Sequence, residues 1–299
     1  MSSLPDIYLC DVEDKEALAE FRTCRSRWYE WLIGNDQHSI ATQLTTMVWD
    51  DAFFRTLYEV RRLTDERPSS NKGFNSDLLD LLARGFITSQ VMAIRRLTDP
   101  EFSDPRKSVV SLSRLLADIQ RHHQLLTREN YICFDGTLFE AALGDSDQRQ
   151  TFQRDQMNRT FDVLSNTTPT SRSRKDLIQE SRIQDVAKSL DVCKDFRNYA
   201  NKFIAHAAVP SNARSCVREE IRIAPEMFDQ VYRAIVRAAS FVSLGILFER
   251  GGLGDIPTPQ YNHLENLDKP MILPSEADHL DIFWHTRVSE MEKWSENVI

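Results

Sequence analysis

Apolar residues return every three or four positions over long stretches of this chain, and this periodicity restricts its fold more than any other feature. One stretch repeats Ile183, Val186, Leu190, Cys193, Ala200 and Ile204, with Arg197 on the same stripe. Another repeats Phe228, Val231, Ile235, Ala238 and Val242. Such spacing places these side chains on one face of an α-helix. Only 9 Gly and 11 Pro occur in 299 residues, which favours long regular elements. We predict an all-α helical bundle.

Two segments of different character are predicted along the chain. Residues 1–250 form an all-α domain, with helices expected over 14–33, 39–65, 75–98, 111–126, 147–164, 173–206 and 225–250. Ser173 and Asp176 are predicted to form a capping box at the start of the sixth of these helices, 173–206. The stretch from Tyr131 to Phe134 is open between helix and a short extended piece. Residues 251–299 form a Pro-containing extension whose amphipathic helix, 276–294, packs on the bundle or serves as a partner-binding or dimer-contact arm.

Charge is distributed unevenly, and this affects which partners we expect. The net charge of −8 argues against broad, non-specific binding of nucleic acid. Residues 255–299 hold nine acidic and three basic side chains, so −6 of the total lies there and −2 lies in residues 1–254. Residues 172–206 hold eight basic and five acidic side chains, a local charge of +3. A basic surface on the helical domain is compatible with these counts.

Cysteine usage and hydropathy indicate the compartment. The five cysteines are widely spaced and form no CxxC pair, which is typical of reduced thiols in an intracellular protein. No cleavable signal is recognisable at the N-terminus. The uncharged stretch from Ala238 to Phe248 is far shorter than the roughly 20 residues that span a bilayer. We expect a cytoplasmic protein that does not enter a membrane.

The most distinctive polar motif is the decapeptide RNYANKFIAH, residues 197–206. His206 supplies an imidazole, which titrates near neutral pH, and a guanidinium such as that of Arg197 can hold a phosphate. Metal-free cleavage of RNA needs little more than these groups. We predict His206, Arg197, Lys202 and Asn201 as catalytic residues. The structural alternatives are a partly buried ion pair for Arg197 and, for His206, a helix C-terminal position favoured by the dipole.

Helix geometry restricts how this motif works. Arg197 and His206 are nine residues apart, so a straight α-helix places them on opposite sides, whereas Lys202 shares the face of His206. Arg197 and His206 share a substrate only if the helix ends before His206 or a second protomer supplies one group.

A second cluster of polar residues lies directly before Pro100. Arg95 and Asp99 have the i, i+4 spacing of a helical ion pair. Alternatively, Arg95 and Arg96 lean toward His206 and contact RNA. The adjacent pair His122 and His123 is expected on the solvated surface. No glycine-rich phosphate loop, HExxH or GxSxG is present, so we expect no metal and no cofactor.

The motif NKFIAH, residues 201–206, resembles the end of a helix in the HEPN superfamily, in particular its abortive-infection AbiU-like branch. Residues 93–99 and 108–116 are also similar to that branch, and the resemblance covers about residues 40–250. It implies an all-α bundle that dimerises. It also implies a metal-independent endoribonuclease whose site contains an arginine, a polar residue after that arginine, and a histidine four to six residues after the arginine. Here His206 matches the histidine and Lys202 the polar position, but Asn201 stands where the arginine is expected.

The leading hypothesis is therefore a HEPN-like homodimer that acts on RNA in phage defence or a toxin system. The role of the missing arginine passes to Arg197 or to an arginine of another helix, or the nuclease activity is lost. The competing hypothesis is a non-catalytic HEPN-like module that binds RNA, a partner protein or an antitoxin. A helical bundle that binds a small molecule between its helices is a third.

Overall fold

The computed structural model describes residues 5–34, 37–66, 75–100, 109–140, 148–204, 225–251, 253, 256–257, 262–267, 269, 271 and 273–295. Ten α-helices occur within these ranges. They are α1 (Lys15–Ile33), α2 (Ile40–Asp65), α3 (Ser76–Thr98), α4 (Leu112–Arg121), α5 (Arg128–Cys133), α6 (Gln148–Ser165), α7 (Glu180–Ser189), α8 (Lys194–Tyr199), α9 (Pro225–Ser240) and α10 (Ala277–Glu292). The described residues form no strand, and one isolated antiparallel bridge joins Thr127 to Leu177. The predicted all-α fold is confirmed.

The first four helices begin where their sequence signals predict. Asp14, Ser39, Asn75 and Ser111 each accept a hydrogen bond from the backbone N–H three residues later. Such a side chain satisfies one of the donors that the first helical turn leaves without a partner. The fourth helix ends earlier than predicted, at Arg121, and a 3-10 turn over His123–Leu125 follows it.

The predicted helix over 173–206 is wrong in its first third and in its continuity. Asp176 does accept from the backbone N–H of Ser173, but its carboxylate is also held by Arg128, at 2.9 Å. The backbone carbonyls of Arg174 and Asp176 accept from the start of α5. These tertiary contacts keep residues 174–179 out of the helix, so α7 begins at Glu180.

In two other segments the structure decides what the sequence left open or predicted as one regular helix. The stretch from Tyr131 to Phe134 is not extended, because Tyr131 lies in α5 with its side chain 2% exposed. Its hydroxyl donates to the backbone carbonyl of Gly245 at 2.7 Å, which explains why an aromatic residue is buried there. The last long helix changes after Ser240 into a π-helical segment, Phe241–Ile246.

Helices α2, α3 and α9 pack together through aromatic and polar contacts. The rings of Phe54 and Phe86 stack with centroids 4.0 Å apart, and the side-chain amide of Gln90 donates to the carbonyl of Met47. These pairs show that α2 and α3 run antiparallel. Tyr232 of α9 donates to the Gln90 amide oxygen at 2.7 Å. The buried amide thus has partners on both neighbouring helices, as a buried polar group requires.

Helices α1 and α4 are joined by a buried carboxylate. Asp118 is 5% exposed and accepts from the indole N–H of Trp28 at 2.7 Å and from Arg27 at 2.6 Å. Burial alone would raise the pKa of Asp118, but the hydrogen bonds from Trp28 and Arg27 outweigh it, so its pKa lies below the ordinary value. Asp118 therefore stabilises the α1–α4 contact as a carboxylate.

Asp118→Ala should lower the free energy of unfolding by about 2–3 kcal/mol at pH 7, because the Trp28 indole and Arg27 lose a buried acceptor. The folded pKa of Asp118 is below the unfolded value. Its contribution is therefore present above about pH 4 and is lost as pH falls through the folded pKa. Urea unfolding at pH 7 and pH 3 should show a smaller difference between variant and wild type at pH 3. Asp281→Ala, at a 74% exposed side chain, is the control, and a pH-independent difference would contradict the assignment.

The chain divides into two compact units, Met1–Pro257 and Thr258–Ile299. Leu253 belongs to the core of the first unit, and its carbonyl accepts from the hydroxyl of Thr45 at 3.1 Å. The second unit contains α10, on which Phe283 and Trp284 are 65% and 69% exposed. None of the described helices combines the length and the apolar character needed to cross a membrane.

Candidate functional site

The C-terminal end of α3 brings residues from three helices together. The guanidinium of Arg197, in α8, donates to the Thr98 carbonyl at 2.6 Å, and the hydroxyl of Ser113, in α4, donates to the same oxygen at 3.0 Å. The hydroxyl of Ser111 donates to the carbonyl of Asp99. The last carbonyls of a helix have no partner within it. These contacts satisfy them and fix α8 and the start of α4 against α3.

Two predicted site residues, Arg95 and Arg197, flank one carboxylate here. Arg95 Nε lies 3.8 Å from Asp99 Oδ1, so the predicted i, i+4 ion pair is present, with Asp99 only 17% exposed. Burial raises the pKa of Asp99, while the positive charges of Arg95 and Arg197 act in the opposite direction. The cluster of Arg95, Asp99 and Arg197 carries one positive charge in excess when the carboxylate is ionised.

The structural alternative for Arg197, a partly buried ion pair, agrees in part with this geometry. Its side chain is partly exposed and is anchored by a carbonyl group, with Asp99 within electrostatic reach. Cys193, one turn earlier, has its pKa raised to about 12 by burial, even though Arg197 favours the thiolate. A thiol with such a pKa is not a nucleophile at neutral pH. Cys193 is therefore not a candidate nucleophile for this cluster.

The backbone changes its helical type within the decapeptide. A 3-10 segment, Leu190–Cys193, precedes α8, and a π-helical segment, Ala200–Ile204, follows it. A π turn closes i→i+5 hydrogen bonds and so holds more residues per turn than an α-helix, and such turns are frequent at functional sites. A regular α-helix is therefore not continued from Arg197 to Ile204.

The remaining predicted residues lie in different surroundings. Asn201 is exposed and Lys202 is partly exposed, both on the π-helical segment that packs beside α3. Arg96 is exposed on α3, next to Arg95 but turned about 100° around the helix. His206 lies outside the described residues, as does Ala205.

Sequence reasoning missed several residues that build this end of the bundle. Ser111 was predicted only as the first residue of a helix, and its hydrogen bond to the Asp99 carbonyl has no sequence signature. His122 and His123, expected on the solvated surface, are both partly exposed, and both rings also contact the protein. The His122 ring packs edge-on against Trp28, with Nδ1 2.8 Å from the Asp118 carbonyl oxygen, and His123 Nε2 lies within hydrogen-bonding distance of the Ile178 carbonyl oxygen.

Comparison of this chain with family models, characterised proteins and solved structures finds no significant match. The resemblance to the HEPN superfamily therefore rests on the residues of the motif itself. What the geometry adds is the position of Arg197 and Arg95 at one end of α3. Among the described residues, no group of three or more His, Cys, Asp or Glu side chains has a metal-binding arrangement.

Proposed function

We propose that this chain is a HEPN-like RNA-targeting protein that cleaves RNA without a metal ion. One observation carries the proposal: Arg197 and Arg95, from helices about a hundred residues apart in sequence, both lie at the C-terminal end of α3, where Arg197 donates to the Thr98 carbonyl and both guanidinium groups act on Asp99. In the HEPN pattern an arginine and a histidine act together. Asn201 stands at the expected arginine position of this chain, and Arg197 lies one turn before it. Arg95 is an arginine of another helix at the same place.

Each residue has a distinct role in the proposed reaction. His206 removes the proton of the ribose 2′-hydroxyl or protonates the leaving 5′-oxygen. Arg197 and Lys202 neutralise the scissile phosphate as charge develops on it, and Asn201 orients it. Arg95 holds Asp99, so that this carboxylate does not pair with Arg197 alone, and Arg96 contacts the RNA backbone. A homodimer in a phage-defence or toxin system is the proposed setting.

Arg197→Gln should reduce RNA cleavage about 100-fold or more, because the scissile phosphate loses a preorganised guanidinium. The assay is incubation of the purified full chain with total cellular RNA in EDTA, followed by gel electrophoresis. Arg62→Gln is the matched control. Arg62 lies near the end of α2, beside the start of α3, and is therefore roughly 30 Å from Thr98 along the antiparallel pair. Wild-type cleavage that requires added metal, or that survives in Arg197→Gln, would contradict the proposal.

A second candidate function is a non-catalytic HEPN-like module that binds RNA, a partner protein or an antitoxin. It is favoured by the hydrogen bond that ties Arg197 to the Thr98 carbonyl and by Asn201 at the expected arginine position. For this module, RNA stays intact in EDTA and also with added Mg²⁺. Co-purification of a stoichiometric partner would support it.

A further inference from the structure

The second compact unit exposes an apolar helix. Every residue of α10 is exposed, and so is Trp294 in the 3-10 turn Lys293–Ser295 that follows it. The exposed residues of α10 include the large apolar side chains Leu280, Phe283, Trp284, Val288 and Met291. Among the described residues, the principal contacts of α10 are with the 3-10 turns at its two ends. Its apolar side chains are therefore available to a partner.

These five side chains lie on one side of the helix. At 100° per residue, Trp284 and Met291 lie within about 40° of Leu280. Phe283 lies about 60° away on one flank and Val288 about 80° away on the other. We call the five residues the α10 stripe. A stripe of this width, about 140°, is typical of a helix that buries one face.

The helix itself also needs a partner. Isolated helices of about this length are marginal in water, and most helical stability in proteins comes from the packing of an apolar face. The Glu276 carboxylate at the N-cap accepts from the Leu273 N–H in the preceding turn, so it does not cap α10. Burial of the α10 stripe would supply the stability that local signals do not.

The exposed area is close to what a pair of such helices requires. Phe283, Trp284 and Trp294 are 65%, 69% and 64% exposed, the last of these with the Arg287 guanidinium already 5.1 Å from its ring centroid. Since aromatic side chains bury about 150–250 Å² each, these three expose roughly 300–500 Å² in one copy. Two copies supply roughly 600–1,000 Å² before the aliphatic residues are added, and the smallest stable interfaces bury about 1,200 Å².

Charge favours one orientation of the pair. An antiparallel pair with Leu280 against Met291 of the second copy brings Asp278 level with Lys293 of that copy, because both sums of residue numbers are the same. A parallel pair instead places the Asp278 and Asp281 carboxylates of the two copies side by side, where like charges repel. The antiparallel pair also aligns the two helix dipoles in opposite directions.

We infer that α10 is a dimer contact, in which the α10 stripes of two copies of this chain pack against each other in antiparallel orientation. A twofold pair uses the same surface on both copies, so one helix face is sufficient. Residues 255–299 carry a net charge of −6, so apolar burial has to outweigh the repulsion between copies. The inference goes beyond the proposed function, because it concerns the contact between copies and does not depend on RNA cleavage.

The experiment is sedimentation equilibrium of the full chain over about 1–100 µM. We expect a monomer–dimer equilibrium with a Kd on the order of micromolar, as for a small interface. Trp284→Ser/Met291→Ser should raise this Kd about 100-fold or more, because buried aromatic anchors dominate interface energies. A rise in salt from about 50 to 300 mM should lower the wild-type Kd, since salt screens the repulsion between the acidic units.

Ile282→Ser is the matched control. Ile282 is 65% exposed, like the stripe aromatics, but it lies on the opposite side of α10. Its Kd should stay within about twofold of wild type, and all the variants should keep the wild-type unfolding midpoint because they change exposed residues. A wild type that is monomeric throughout, an unchanged Kd in Trp284→Ser/Met291→Ser, or a Kd that rises with salt would overturn the inference.

Zero-length carbodiimide cross-linking followed by mass spectrometry tests the orientation. We expect a cross-link between Asp278 and Lys293, which must join two copies because these residues are about 22 Å apart along one helix. The cross-link should be lost in Trp284→Ser/Met291→Ser. Cross-links from Lys293 to carboxylates of residues 1–257 in its place would overturn the pairing. RNA cleavage by a monomeric wild type would refute the α10 contact and leave the cleavage proposal standing.

Discussion

His206→Ala is expected to reduce RNA cleavage by about 100-fold or more, because general acid–base catalysis by an imidazole contributes that much and alanine has no group to move a proton. His206 follows Ile204, the last described residue of the π-helical segment, by two positions. The readout is the initial rate of fragment formation from a labelled RNA in EDTA. The pH–rate profile of the wild type should show a group titrating near neutral pH, and that group should be missing from the residual activity of the variant.

His285→Ala is the control for this variant, since the His285 side chain is 73% exposed on α10 and is not among the predicted site residues. Both variants should unfold at the wild-type urea midpoint. His206→Ala with wild-type cleavage would remove His206 from the mechanism. A loss of cleavage that accompanies a large shift of the midpoint would assign His206 to the core of the fold.

Arg128→Met is expected to lower the free energy of unfolding by about 3–5 kcal/mol, because it leaves the largely covered Asp176 carboxylate without its cation and leaves Asp162 with Arg172 alone. The side chain of Arg128 is 0% exposed and lies 2.8 Å from Asp162 and 2.9 Å from Asp176. It also donates to the side chain of Asn158 and lies over the Phe161 ring, 4.7 Å from its centroid. Arg128 therefore joins α5, α6 and the segment before α7.

Urea denaturation measures this loss. Arg62→Met is the control, since Arg62 also pairs with two carboxylates, Glu59 and Glu66, but with 53% of its side chain exposed. Its unfolding midpoint should not change measurably, because solvent screens exposed pairs. Arg128→Lys should lie between wild type and Arg128→Met, since an ammonium keeps the charge but not the planar fork. Equal midpoints for all the variants would show that the Arg128 network contributes nothing to stability.

Local signals were sufficient for much of the helical framework. The caps Asp14, Ser39, Asn75 and Ser111 begin their helices because a side-chain oxygen and a backbone N–H three residues later are neighbours in any helix start. The apolar spacing of residues 225–250 likewise predicted a helix that is present, although its last part is π-helical. Neither kind of signal depends on what the rest of the chain does.

Local signals failed where distant residues compete for the same backbone. Ser173 and Asp176 form the local hydrogen bond expected of a cap, yet α7 starts at Glu180, because Arg128 binds Asp176 and the start of α5 binds the nearby carbonyls. Similarly, the sequence did not decide whether the segment at Tyr131 is helical or extended. It is helical, and the Tyr131 hydroxyl donates a hydrogen bond to the distant Gly245 carbonyl.

The candidate site divides in the same way. Residue types and spacing were enough to select Arg95, Asp99, Arg197 and Lys202 as polar groups in helices, and to predict the i, i+4 pair of Arg95 with Asp99. Tertiary structure alone decided that Arg197 and Ser113 both bind the Thr98 carbonyl. The reason is physical: helix periodicity determines which residues share a face, whereas the packing of one face against another determines which charges become neighbours.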